Sequence, residues 1–87
     1  EYLPRYASEL ELSSAVERRA QALVDRTKEE GIANGRNPSG VAAACLYTAA
    51  KELDAEVTQR EVAEVASVTP VTVRNTFQAL AAEPPTQ

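Results

Sequence analysis

Ten consecutive residues, Val41 to Ala50, decide most of what this chain can become. They read Val-Ala-Ala-Ala-Cys-Leu-Tyr-Thr-Ala-Ala, and Thr48 alone among them is not apolar. A segment this apolar on all sides is not a surface helix, which keeps its apolar residues on one stripe. It is also too short to cross a bilayer, which takes about 20 residues. Alanine is the commonest residue in the run and the strongest helix former, so helix wins over strand. Small side chains let neighbouring helices come close on several sides. The stretch from Gly40 to Leu53 is therefore a buried central helix, and the rest of the chain wraps around it.

The flanking segments read as helices too. Pro4 sits in the first turn of a short opening helix, where a missing N–H is harmless. Tyr6 and Leu10 share one of its faces. Ser14 and Glu17 form a capping-box pattern. The helix that follows places Val16, Ala20, Leu23 and Thr27 on one stripe, with Arg18, Arg19, Arg26 and Glu29 on a solvated face. Gly31 suits the end of that helix. Asn34-Gly35 marks a turn, and Asn37-Pro38 caps and opens the central helix, which ends near Asp54. Thr58 and Glu61 form a second capping box ahead of Val62, Ala63, Val65 and Ala66. Thr69-Pro70 then starts a last helix with Val73, Phe77 and Leu80 facing inward, stopped by Glu83-Pro84-Pro85. No segment reads as a strand. The expectation is one all-α domain over residues 1–87 with five helices, its last residues, 83–87, frayed.

Charge and residue usage exclude several functions. The formal net charge is −4, which argues against general nucleic-acid binding. The distribution is uneven, however. Between Val65 and Ala82 there is no acid and a single base, Arg74. Any DNA contact belongs there. The chain has no histidine and one cysteine, Cys45, set in the apolar run. That leaves no zinc constellation, no disulfide and no nucleophile–base pair, so neither an enzyme nor a metal or cofactor site is expected. With no initiator methionine, the chain looks like an excised piece of a longer one. No signal or transit peptide is present, so a cytoplasmic setting without membrane attachment is expected.

Two short helices joined by Ser67-Val68-Thr69 make a helix-turn-helix over about residues 58–82. Ala63 lies where the helices touch, with Val62, Ala66, Val68 and Val73 at the inner positions. Ser67 stands where glycine is commonest and Thr76 where an aliphatic residue is usual. At about 100° per residue, the face opposite Val73, Phe77 and Leu80 carries Val71, Arg74, Asn75, Gln78 and Ala82. Arginine can pair with guanine, an amide with adenine, and an aliphatic group with a thymine methyl.

Two motifs carry a resemblance to a known family. Gly35-Arg36-Asn37-Pro38-Ser39-Gly40-Val41-Ala42-Ala43-Ala44-Cys45-Leu46-Tyr47 is similar to the third-helix signature of the archaeal general transcription initiation factor B, the counterpart of eukaryotic factor IIB. Val68-Thr69-Pro70-Val71-Thr72-Val73-Arg74-Asn75 resembles the recognition helix of that factor's second cyclin-like repeat. The opening Tyr2-Leu3-Pro4-Arg5-Tyr6-Ala7-Ser8-Glu9-Leu10 matches the start of the same repeat. The resemblance covers residues 2–82.

It implies a five-helix cyclin-like fold without enzymatic activity. It also implies insertion of the helix-turn-helix into the major groove at the promoter element upstream of the TATA box, beside the TATA-box-binding protein. Val71 and Arg74 map onto the family's base contacts, and Asn75 and Gln78 are expected to join them. Arg36, Ser39, Arg60 and Thr72 are candidates for phosphate. RNA polymerase would be engaged through other domains of the full-length factor, and the repeat is expected to be monomeric. The competing class is a cyclin-fold protein-interaction module without direct sequence readout. Outward-facing leucine or aromatic side chains along a groove would favour it.

Overall fold

The computed structural model describes residues 2–81. The chain forms five helices: α1 (Tyr2–Glu9), α2 (Ser14–Glu29), α3 (Pro38–Glu52), α4 (Gln59–Ala66) and α5 (Pro70–Ala81). Among the described residues there is no strand. Helix α3 packs against each of the other four. Gly40 through Leu46, with Ala49 and Ala50, are buried on it, while Tyr47 and Thr48 are half-buried. The apolar run is thus the axis of an all-α fold. Around it stand Leu3, Tyr6 and Ala7 of α1, Val16, Ala20 and Leu23 of α2, and Val62 and Ala63 of α4.

Local sequence sets where most helices begin. The Asn37 side chain accepts from the Ser39 N–H at 2.8 Å, ahead of Pro38 in the first turn of α3. Thr58 and Glu61 close a full capping box: each side chain bonds the other's backbone N–H, at 3.0 and 2.9 Å. Thr69 Oγ1 accepts from the Thr72 N–H at 3.1 Å and starts α5. One expected cap is displaced. Ser13, not Ser14, caps α2 and accepts from the Val16 N–H, so Glu17 falls one position beyond the reach of a capping box.

Helix ends follow a less obvious rule. Glu11, Asp54 and Ser67 follow α1, α3 and α4 and have φ of 57°, 60° and 58°, in the left-handed region. In each case the next residue's N–H reaches back five residues, as in Leu12 to Ala7, Ala55 to Ala50 and Val68 to Ala63. This is the Schellman ending, in which glycine is the usual left-handed residue. Among the described residues, only α2 is followed by a left-handed glycine at its end, Gly31, with φ 77°.

Two expectations about packing are corrected. On α5 the buried stripe is Val73, Thr76 and Leu80, whereas Phe77 is half-buried. Its ring meets Tyr47 of α3 edge-on, with centroids 5.2 Å apart. Of the charged residues expected on the solvated face of α2, Arg18, Arg19 and Glu29 are exposed, but Arg26 is not, and two of the arginines reach across to other helices. Arg19 bonds both carboxylate oxygens of Glu52 on α3, at 2.6 and 3.4 Å. Arg26 is half-buried and donates to the Leu80 carbonyl of α5 at 3.4 Å. A long charged side chain can cover apolar surface while its head reaches a distant acceptor. That is how both residues tie α2 to its neighbours.

Candidate nucleic-acid interface

Helix α4, the left-handed Ser67 and helix α5 form the helix-turn-helix corner. Buried Val62, Ala63, Ala66 and Val73 and half-buried Val68 fill its inner side. Because Val73, Thr76 and Leu80 anchor α5 to the core, the opposite arc must face solvent. Val71, Arg74, Asn75 and Gln78 occupy it, and all four are exposed. Val71 is 50% exposed, the most of any large apolar side chain among the described residues. Among those residues, neither Arg74 nor Arg60 has a hydrogen-bond or ion-pair partner. The described part of α5 carries no acid. The face therefore offers one guanidinium, two amides and an aliphatic group, with no nearby carboxylate on its own helix to repel phosphate. Ala82, expected on the same arc, and residues 83–87, expected to fray, lie outside the described residues.

The four residues expected at phosphate separate into two pairs. Arg60 is exposed on the first turn of α4. Arg36 is exposed on the loop before α3, where its Nε donates to the Ile32 carbonyl at 3.0 Å. Both guanidiniums remain open to an anion. Ser39 instead turns its hydroxyl inward, and Thr72 turns its methyl inward while its hydroxyl stays at the surface. The Ser39 hydroxyl lies 2.6 Å from the Tyr6 hydroxyl and 2.8 Å from the Ala66 carbonyl. Thr72 lays its methyl on Gly40, while its hydroxyl pairs with Thr69 at 3.1 Å. Sequence reading missed Tyr6 as a partner of this corner, since nothing local connects residues 33 positions apart.

Among the described residues, no three His, Cys, Asp or Glu side chains converge on a point. Cys45 is wholly buried. Burial pushes its thiol from 9.0 up to about 12, against a smaller opposing pull from Arg26. A thiol so protonated is no nucleophile at neutral pH. No helix of the described residues is long and apolar enough to cross a membrane.

A cyclin-like bundle closing on a helix-turn-helix with a bare polar face describes a class of helical repeat. Comparison with known proteins gives the family. The family model described as transcription factor TFIIB repeat matches residues 1–83. Transcription initiation factor IIB 1 of Halobacterium salinarum is 59% identical over 80 residues, covering 92% of this chain and 28% of that protein. Transcription initiation factor IIB of Haloarcula vallismortis is 50% identical over 78 residues, covering 90% of this chain and 68% of the relative. The factor of the same name from Methanocaldococcus jannaschii is 50% identical over 80 residues, 92% of this chain and 12% of its own length. The chain belongs to the TFIIB repeat family. It spans only 28% and 12% of the Halobacterium and Methanocaldococcus proteins, so it corresponds to one part of them.

Proposed function

We propose that this chain is the DNA-reading repeat of a general transcription initiation factor, recognising the promoter element upstream of the TATA box. In this reading α5 enters the major groove. Arg74 pairs with a guanine, Val71 touches a thymine methyl, and Asn75 and Gln78 reach neighbouring base edges. Arg36 and Arg60 meet phosphate and fix the register. Ser39 and Thr72 support the helix from behind. The observation that carries the proposal is the α5 face itself: exposed, free of acids, and furnished with four side chains suited to bases.

Charge decides how such a repeat can work. With a net charge of −4 and few phosphate contacts, it releases few counterions and binds DNA weakly alone. The TATA-box-binding protein, bound to the adjacent DNA, would supply the missing affinity by holding the repeat near its site. The repeat acts there as a monomer, and RNA polymerase is reached through other parts of the full-length factor.

The test is a binding series on promoter duplexes with single-base changes upstream of the TATA box, run over a range of salt with and without the TATA-box-binding protein. The expected result is base-dependent affinity that becomes tight only with that protein present. Equal affinity for every variant would refute sequence reading.

One observation favours the competing interaction module. A groove of about 690 Å³ runs between α1, α2 and α3, lined by Leu3, Val24, Pro38, Val41 and Ala42 together with polar Gln21 and Lys28, with Tyr2, 42% exposed, beside them. That reading predicts that Tyr2→Ala, and not Arg74→Ala, abolishes activity in transcription.

A further inference from the structure

Ser39 and Gly40 stand side by side at the start of α3, and each touches one side of the turn between α4 and α5. On the near side, the Ser39 hydroxyl donates to the Ala66 carbonyl at 2.8 Å. A carbonyl can only accept, so the one Ser39 proton points there. Tyr6, its hydroxyl 2.6 Å away, must then be the donor to Ser39. On the far side, Gly40 brings the start of α3 against the Thr72 methyl in the first turn of α5. Both ends of the relay are shielded, since Tyr6 is 1% and Ala66 5% exposed, and Ser39 between them is half-buried.

Ala66 ends α4, and its carbonyl is one of the last four that a helix leaves without an internal partner. The next residue, Ser67, has φ 58° and ψ 41°. For a residue with a side chain this conformation is unfavourable and persists where the surroundings over-determine it. The peptide between Ala66 and Ser67 must stay fixed for Ser67 to remain there. The carbonyl of that peptide is the atom that Ser39 holds.

We propose that Tyr6 and Ser39 are positioning residues for α5. Their hydroxyls fix the Ala66–Ser67 peptide, and so set the angle at which α5 leaves α4 and presents Val71 and Arg74. This inference rests on the reading of α5 as the DNA-reading helix. The two residues touch no base in this scheme. They act through the turn, and they make α1, remote in sequence, a determinant of specificity.

The experiment uses the natural polypeptide that carries this repeat, with Tyr6→Phe, Ser39→Ala and the pair Ser39→Ala with Ser67→Gly. Tyr6→Phe keeps the buried ring and removes only the hydroxyl, so it guards against a Ser39 variant that does not fold. Two quantities are read: the unfolding midpoint, and the affinity ratio between the upstream element and a variant changed at the base pair assigned to Arg74. Both single variants should lower the ratio by about five- to tenfold, the size of effect such indirect networks carry. Their affinity for unrelated DNA should not change. Adding Ser67→Gly should restore the midpoint without the ratio, because glycine enters the left-handed region freely but fixes no angle.

The proposal is overturned if either single variant keeps the parent's ratio. It is equally overturned if Ser67→Gly restores ratio and midpoint together, which would mean a role in stability alone. A parent that shows no discrimination removes the reading of α5, and the positioning role with it.

Discussion

A Cβ placed on Gly40 would lie 2.9 Å from Cγ2 of Thr72. Real side chains do not approach so closely, so the crossing of α3 and α5 depends on residue 40 having none. Gly40→Ala gains about 1 kcal/mol of helix propensity. Against that stands overpacking of about 1–3 kcal/mol, because Thr72 is branched at Cβ and its hydroxyl is engaged with Thr69. A net loss in the denaturant midpoint is expected. Adding Thr72→Ser removes the clashing methyl and should turn the loss into a gain.

Ser67→Gly should stabilise the protein by about 0.5–1 kcal/mol, since Ser67 sits at φ 58° without the freedom of glycine. Thermal unfolding checks this directly. An unchanged or lower midpoint would show that the Ser67 side chain contributes something the left-handed backbone conceals.

Cys45 gives the fold an alkaline limit. Its folded thiol is raised to about 12 from an ordinary 9.0 by burial. A folded value above the unfolded one means that the contribution to stability is complete below about 9. Above that the unfolded chain sheds the proton and the folded one does not, so stability falls with rising pH until about 12. The measurement is a difference between the parent and a variant without the thiol. Cys45→Ala should show a shallower decline than the parent between those limits.

Arg74 and Arg60 should fail differently. If Arg74 pairs with guanine, Arg74→Ala costs about 1–3 kcal/mol on the cognate element and flattens preference at one base pair. Arg74→Lys does not rescue, for an ammonium cannot make the planar two-bond contact. Arg60→Ala should weaken all sequences alike and lower the salt slope by about one unit. Uniform loss with Arg74→Ala would mark it as a phosphate contact.

The caps at Asn37, Thr58 and Thr69 were legible because capping is a contact within three residues, written in the sequence beside it. The burial of Ala43 and Ala44 was legible because a run apolar on all sides has nowhere else to go. The breaks near Asp54 and at Ser67 were legible too, but the left-handed backbone at Glu11, Asp54 and Ser67 was not, since their side chains give no sign of a conformation imposed by surrounding bonds. The pairing of Arg19 with Glu52 spans 33 residues, and composition offered each several partners. The same gap explains the site. Helical period alone places Val71, Arg74, Asn75 and Gln78 outward. Whether Ser39 and Thr72 turn to solvent or inward depends on what α1 and α3 bring to them. Phe77 yielded the core stripe to Thr76 because Tyr47 offered its ring an edge-on partner at the rim.

The outward arc of α5 has a consequence for how such proteins diverge. Val71, Arg74, Asn75 and Gln78 are exposed, and the anchoring residues Val73, Thr76 and Leu80 lie on the other side of the helix. A codon change on the arc leaves the core as it was. If α5 reads DNA as proposed, duplicated genes can drift apart in target choice through a handful of substitutions, with no prior compensation elsewhere in the fold. Gly40 has no such liberty, so selection acts on neighbouring positions of one small domain by two separate criteria.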